Sequence, residues 1–223
     1  NPLRTCATDL RSVGMTRNLA LIFAFAAVAP VVSAVAPVAT AAPCPDVQVV
    51  FARGTTEPPG LGSVGRPFVE DLRARVAPRT VEATPVDYPA SNDFAVSTPA
   101  GIDAARAVIE STAASCPKTK MVLGGYSQGA AVIEGATNSA SPQTASRVAA
   151  TALFGAPRTG FAGMLAGGPL PELAPQYVAN SIDQCAEGDP ICWVGGGFDV
   201  GAHGSYVQSG KVTQAADFAA SKI

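Results

Sequence analysis

Apolar runs of strand length alternate with amphipathic segments of helical period along most of the chain. "DVQVVFARG" (46–54) is β-branched and apolar and closes on glycine, which predicts a buried strand. "GRPFVEDLRARV" (65–76) places Phe68, Val69, Leu72 and Val76 at helical intervals, with charges on the opposite side. "TVEATPVDYP" (80–89) is extended and broken by prolines. "STPAGIDAARAVIESTAASC" (97–116) predicts a helix, with Ser97 or Thr98 as its cap and Pro99 near its first turn. "KMVLGGYS" (120–127) predicts a strand, and "QGAAVIEGAT" (128–137) the helix that follows it. "VAATALFGAP" (148–157) predicts a strand and "QYVANSI" (176–182) a weaker one. Residues 204–223 predict a closing helix, at least from Val212. Strands alternating with helices predict an α/β fold, a parallel sheet covered on both faces.

Residues 1–42 break this pattern. Arg4, Arg11 and Arg17 precede an uncharged stretch from Leu19 to Ala42, whose end carries an Ala39-Thr40-Ala41 cleavage pattern. The expectation is a secretory signal peptide cut near Ala41 or Ala42. A retained membrane anchor is the rival, because the run is long enough to span a bilayer. Pro30, Pro37 and the small residues at the end favour cleavage, and with it no stable membrane insertion. Met15, followed by "TRNLALIFAFAAVA", reads as an ordinary signal-peptide start, so residues 1–14 are expected to be an upstream extension. That leaves 43–223 as one domain, long enough to bury a sizeable core.

Composition narrows the function by exclusion. The chain is 48% hydrophobic and 14% charged, with a net charge of −2. Lys and Arg are scattered, so nothing supplies the basic stripe that nucleic-acid binding requires. Of five cysteines, removal of Cys6 with the leader leaves Cys44, Cys116, Cys185 and Cys192. An even number in an exported chain points to disulfides. Cys185 and Cys192 are close enough to close a short loop, which leaves Cys44 with Cys116; the other two pairings stay open. One histidine and no Cys-x-x-Cys pair argue against a zinc site.

The chemistry centres on Gly125-Tyr126-Ser127-Gln128-Gly129, a G-x-S-x-G pattern between a strand and a helix. A strand turning sharply into a helix crowds the corner residue's neighbours, and the two glycines remove side chains that would collide. The corner serine then projects its Oγ at the carboxyl edge of the sheet, above a helix N-terminus that offers N–H groups to an oxyanion. A serine hydroxyl needs a base, and the single histidine, His203 in "DVGAHGSYV", is the available one. The orienting acid should lie between them in chain order. Glu134, Glu172, Asp183, Glu187, Asp189 and Asp199 are the candidates. Glu134 lies in the elbow helix and is expected to face away. Asp189 sits inside the loop that Cys185 and Cys192 would close, next to Pro190, and is therefore favoured. Asp199 is nearer His203 but unconstrained.

"VVFARGTTEP", "LGGYSQGA", "CAEGDPIC" and "AHGSYV", in this order and with four cysteines, resemble the cutinases and cutinase-like secreted serine esterases. The likeness runs from about Cys44 to the C-terminus. It implies a small α/β-hydrolase, a three-layer sandwich with a five-stranded parallel sheet and no large lid. By the same resemblance Ser127 is the nucleophile, Asp189 the acid and His203 the base. The backbone N–H groups of Gln128 and Thr55 form the oxyanion hole; Thr55 falls where the family often has Ser. The resemblance pairs Cys44 with Cys116 and Cys185 with Cys192.

Other features have plainer readings. Arg53 and Glu57, flanking Thr55, read as a surface pair or solvated charges. "VGGGF" (194–198) lacks a following Lys-Ser/Thr, so it reads as a flexible loop carrying His203 and not as a phosphate loop. Phe161, Met164, Leu165, Leu170 and Leu173 either line an acyl-binding crevice or pack internally. The expectation is therefore a secreted, monomeric ester hydrolase without metal or organic cofactor. It would act on short- to medium-chain acyl esters such as lipids or polyester. Phospholipase, lipase, thioesterase and acetyl-polysaccharide esterase are alternatives within this chemistry, and an inert binding or antigenic protein is the alternative outside it.

Overall fold

A computed structural model describes residues 43–223, so the expected leader lies outside the described residues. In chain order the elements are β1 (Val47–Ala52), α1 (Gly62–Val76), β2 (Val81–Pro85), α2 (Phe94–Ser115) and β3 (Lys120–Tyr126). There follow α3 (Gln128–Thr137), α4 (Pro142–Ala145), β4 (Val148–Phe154), α5 (Gly160–Ala166), α6 (Pro175–Val178), β5 (Ser181–Gln184), a 3-10 turn (Ala202–Gly204) and α7 (Lys211–Ala220). The strands form one five-stranded sheet in the order β2-β1-β3-β4-β5, every pair parallel.

Period-two alternation divides the apolar strand residues between two cores. Val47, Val49 and Phe51 of β1 meet α1 and α7, with Phe68, Leu72, Val212 and Ala216. Val50 and Ala52 of the same strand meet α2 and α3, with Ile109, Val132 and Ile133. In β4, Ala150, Ala152 and Phe154 face the first core, whereas Val148 faces the second. A register shift beside Met121 makes this possible, because Met121 pairs with Val148 and Val122 with Ala150.

The strand order also locates the site. From β1 the chain moves outward to β2, then crosses back to β3 on the other side of β1. The segments leaving β1 and β3 thus diverge to opposite faces. Such a reversal opens a crevice at the carboxyl ends of the strands. The loop with Thr55 follows β1, and Ser127 follows β3. Among the described residues, the connection from β4 to β5 carries only the short helices α5 and α6.

Two local expectations change. Helix α2 starts at Phe94, after Asp93, so Ser97 is an internal residue and Pro99 lies in the second turn. The "QYVANSI" strand is displaced. Pro175 begins a helical turn that buries Tyr177, and pairing with β4 starts only at Ser181. The closing helix begins at Lys211, next to the Val212 expected, after turns over 206–210. Two disulfides brace the domain. Cys44–Cys116 ties the approach to β1 to the end of α2, across 72 residues. Cys185–Cys192 closes a loop just beyond β5.

Candidate active site

Ser127 occupies the corner between β3 and α3 with φ 57° and ψ −121°. A left-handed φ is costly for a residue with a Cβ and persists only where its surroundings enforce it. Here they do. The Ser127 N–H donates to the Phe154 carbonyl at 2.9 Å. A Cβ at 125 would lie 2.3 Å from the Gly129 carbonyl oxygen, and one at 129 would lie 2.1 Å from that of Ala52. The glycines give the clearance that the corner needs.

His203 reaches this corner from the 3-10 turn. Its Nε2 lies 2.8 Å from Ser127 Oγ, and its Nδ1 lies 2.9 and 2.8 Å from the two oxygens of Asp189. An ionised carboxylate only accepts, so Nδ1 carries the proton and Nε2 is free to accept from the serine. Asp189 is fully buried. Burial by itself would raise its pKa. Hydrogen bonds from His203, Tyr206 and the Ile191 N–H outweigh burial and hold the carboxyl below its ordinary range. The other carboxylates do not join this group. Asp199 Oδ1 accepts from the Gly201 N–H at 2.8 Å. Glu134 is fully buried in α3 and pairs with Arg158, which also reaches Asp183 at 3.0 Å.

The Thr55 loop is anchored from beneath. Arg53, expected at the surface, is 4% exposed. Its guanidinium donates to the carbonyls of Glu57, Val86 and Tyr88 and lies 5.0 Å above the Tyr88 ring. The Glu57 carboxylate accepts from the N–H groups of Gly54 and Ser63, both at 2.7 Å. Both charges therefore hold backbone instead of pairing with each other. A long polar side chain in "ARGTTEP" gave no sign of this burial, because two of the carbonyls it serves, those of Val86 and Tyr88, lie more than thirty residues away.

Thr55, Ser127 and Gln128 line a crevice together with Phe94, Ala131, Pro157, Leu165, Leu170 and Ile191. Of the apolar residues singled out above, Leu165 and Leu170 border it. Leu173 packs into the second core, and Met164 is exposed. Phe161 stacks edge-on against Phe198 at 5.2 Å, joining α5 to the glycine-rich loop. The Gln128 side chain is buried, donating to the Ser91 carbonyl and accepting from Ser97 Oγ. Sequence reasoning assigned no role to Tyr126 or Tyr206. Tyr126 donates to the His203 carbonyl at 2.8 Å, and Tyr206 donates to Asp189 Oδ2. Both stand inside motifs already singled out, "GGYSQGA" and "AHGSYV", but only the folded chain shows what they touch.

A parallel sheet wrapped by helices, with a serine on a strand-to-helix elbow at its carboxyl edge, is the architecture of an α/β-hydrolase. Within that class the chain belongs to the cutinase family, which it matches over residues 43–223. It is a carboxylic-ester hydrolase of the cutinase type. Over 186 residues it is 51% identical to Carboxylesterase Culp1 of Mycobacterium tuberculosis, covering 83% of this chain and 85% of that one. Phospholipase Culp4 of the same organism is 43% identical over 219 residues, 94% of this chain and 92% of that one. Among solved structures, Trichoderma reesei cutinase bound to a phosphonate inhibitor superposes with a TM-score of 0.62 at 35% identity, over 79% of this chain and 76% of that one. The catalytic core of acetyl xylan esterase from Trichoderma reesei gives 0.68 at 27% identity, over 81% and 100%.

Proposed function

We propose that the protein is a secreted, monomeric serine esterase that cleaves short- to medium-chain acyl esters of lipids or polyesters through an acyl-enzyme on Ser127. The observation that carries this reading is the continuous contact Ser127 Oγ–His203 Nε2 and His203 Nδ1–Asp189 beside an apolar crevice. Ser127 attacks the ester carbonyl as His203 Nε2 takes its proton, and Asp189 stabilises the imidazolium that forms. The N–H groups of Gln128 and Thr55 receive the oxyanion. Gln128 is the first residue of α3, where helix N–H groups have no partner within the helix. His203 then protonates the leaving alkoxide and activates water to release the acid. All three relay residues come from one chain, so no second copy is needed.

The surface around the crevice favours an aggregated, apolar substrate. Met164, Val194 and Phe198 are 68%, 80% and 63% exposed on the segments that flank it. The likeness to Phospholipase Culp4 makes a phospholipid acyl ester one candidate. The two disulfides fit an oxidising compartment and support secretion. A p-nitrophenyl ester series from acetyl to palmitoyl, a polyester film and a phospholipid would rank substrates, with the optimum expected below long-chain esters. Ser127→Ala should abolish both hydrolysis and labelling by a fluorophosphonate probe. Full hydrolysis in that variant would overturn the mechanism.

A further inference from the structure

Tyr206 is fully buried, and its ring packs edge-on against Phe154, Tyr126 and His203 at 6.1, 5.8 and 6.3 Å. A phenylalanine would supply all of that packing. The hydroxyl adds a polar group to an apolar core, which is costly unless it is bonded. It is bonded at one place above all, Asp189 Oδ2. The same oxygen also contacts His203 Nδ1. The Ala186 N–H and Cys192 Sγ lie 3.5 and 3.4 Å from the hydroxyl, so it also touches both sides of the disulfide loop that carries Asp189.

We propose that Tyr206 is a positioning residue for the ester-hydrolysis reaction, its phenol locking the Asp189 carboxylate and setting how strongly that carboxylate draws the proton on His203. The inference rests on the serine-esterase reading of this site. Asp189 shares its charge among three donors: His203 Nδ1–H, the Tyr206 hydroxyl and the Ile191 N–H. Each donor takes part of the carboxylate's charge. Without the phenol, more charge falls on the imidazole, which becomes more basic and holds its proton to higher pH. The carboxylate also becomes free to turn away from the Nδ1–H direction.

The remaining ionisable groups nearby leave this effect to Tyr206. Burial, followed by the hydrogen bond to Asp189 and then that carboxylate's charge, raises the Tyr206 phenol far above its usual range, so it stays a donor wherever the enzyme works. Burial, with smaller contributions from Glu57 and Asp189, pushes Tyr126 up to about 12, and its hydroxyl is committed to the His203 carbonyl. Asp199 is turned to the Gly201 N–H. Cys185 and Cys192 are joined and do not titrate.

The chain's single histidine makes the test direct, because selectively labelled, tag-free protein gives one imidazole signal. In Tyr206→Phe the imidazole titration midpoint and the acid limb of kcat/KM should both rise by roughly 0.5–1 pH unit. On a soluble p-nitrophenyl ester, kcat should fall about tenfold with KM unchanged. An unmoved midpoint with kcat within twofold of wild type overturns the proposal. If the variant does not fold, fluorotyrosine incorporated at position 206 alone in the otherwise wild-type chain decides. A more acidic phenol is a stronger donor and should lower the midpoint, and no change overturns the proposal. Ser127→Ala separates the two levels. Retained hydrolysis there defeats the esterase reading itself, whereas an inactive Ser127→Ala beside a wild-type-like Tyr206→Phe defeats only the role of Tyr206.

Discussion

The two halves of the site are held by different physics. Ser127, the proposed nucleophile, sits on regular structure. Strand β3 is paired on both sides, α3 follows at once, and backbone clearance at 125 and 129 sets the corner. Asp189 and His203, the proposed acid and base, sit between the end of β5 and α7, where nearly all residues from 185 to 210 are turns or irregular chain. Other contacts hold that region. A disulfide closes the Asp189 loop, the Thr159 hydroxyl donates to the Pro190 carbonyl, the N–H groups of Arg158 and Thr159 donate to the Ile191 carbonyl, and Tyr126 and Tyr206 bond His203 and Asp189. A sheet positions a residue through hydrogen bonds that any sequence can make. A loop must be positioned by particular side chains, and each becomes a place where a substitution is felt.

The largest expected effect separates chemistry from scaffold within the loop. Asp189→Asn keeps the size of the side chain but favours the wrong imidazole tautomer. We expect kcat to fall by roughly 10⁴-fold, with a circular dichroism spectrum like that of wild type. A loss below tenfold would mean that Asp189 is not the orienting acid.

On the elbow side, Gly129→Ala drives a Cβ into the Ala52 and Arg53 carbonyls, at 2.1 and 2.4 Å. Those atoms are backbone at the end of β1 and just beyond it, and cannot turn aside as a side chain could. The expected cost is about 3 kcal/mol, seen as a melting temperature lower by roughly 6–12 °C. Activity should fall with it, because the chain that must yield leads directly into Thr55. An unchanged melting temperature would show that the elbow is looser than the backbone contacts imply.

The smallest stability effect sharpens the contrast most. Replacing Cys185 and Cys192 together by serine removes a link spanning 7 residues. Loop-closure entropy puts this at about 2.5 kcal/mol. The activity loss should exceed what the lost folded fraction explains, because Asp189 gains freedom. Replacing Cys44 and Cys116 should do the reverse, lowering the chemical-denaturation midpoint more while leaving kcat of the folded enzyme unchanged. Equal effects on kcat from the two pairs would contradict the distinction between a stapled loop and a braced sheet.

Much of this was legible before folding, and the pattern of misses is informative. The elbow was readable because its requirement is local: glycines two residues on either side of a serine, between an apolar strand and a small-residue helix. His203 was readable by scarcity, as the chain has one histidine. The start of α2 was misjudged because Ser97 resembles a cap, yet its hydroxyl serves Ser91 and Gln128 inside the fold. The "QYVANSI" strand slipped because β propensity does not fix where an edge strand begins. Pro175 and the pairing with β4 do. Arg53 looked solvated because arginines usually are.

The sequence by itself determined the alternation of strands and helices, the corner serine, the one available base and a short list of acids. Each follows from period, sterics or composition within a few neighbouring residues. Only the tertiary structure decided that Asp189 and not Asp199 meets His203, that Arg53 is buried against distant carbonyls, and that the Tyr206 hydroxyl bonds Asp189. Those outcomes depend on chain segments meeting across the sheet edge. A hydrogen bond between residues far apart in sequence leaves no periodic trace along the chain.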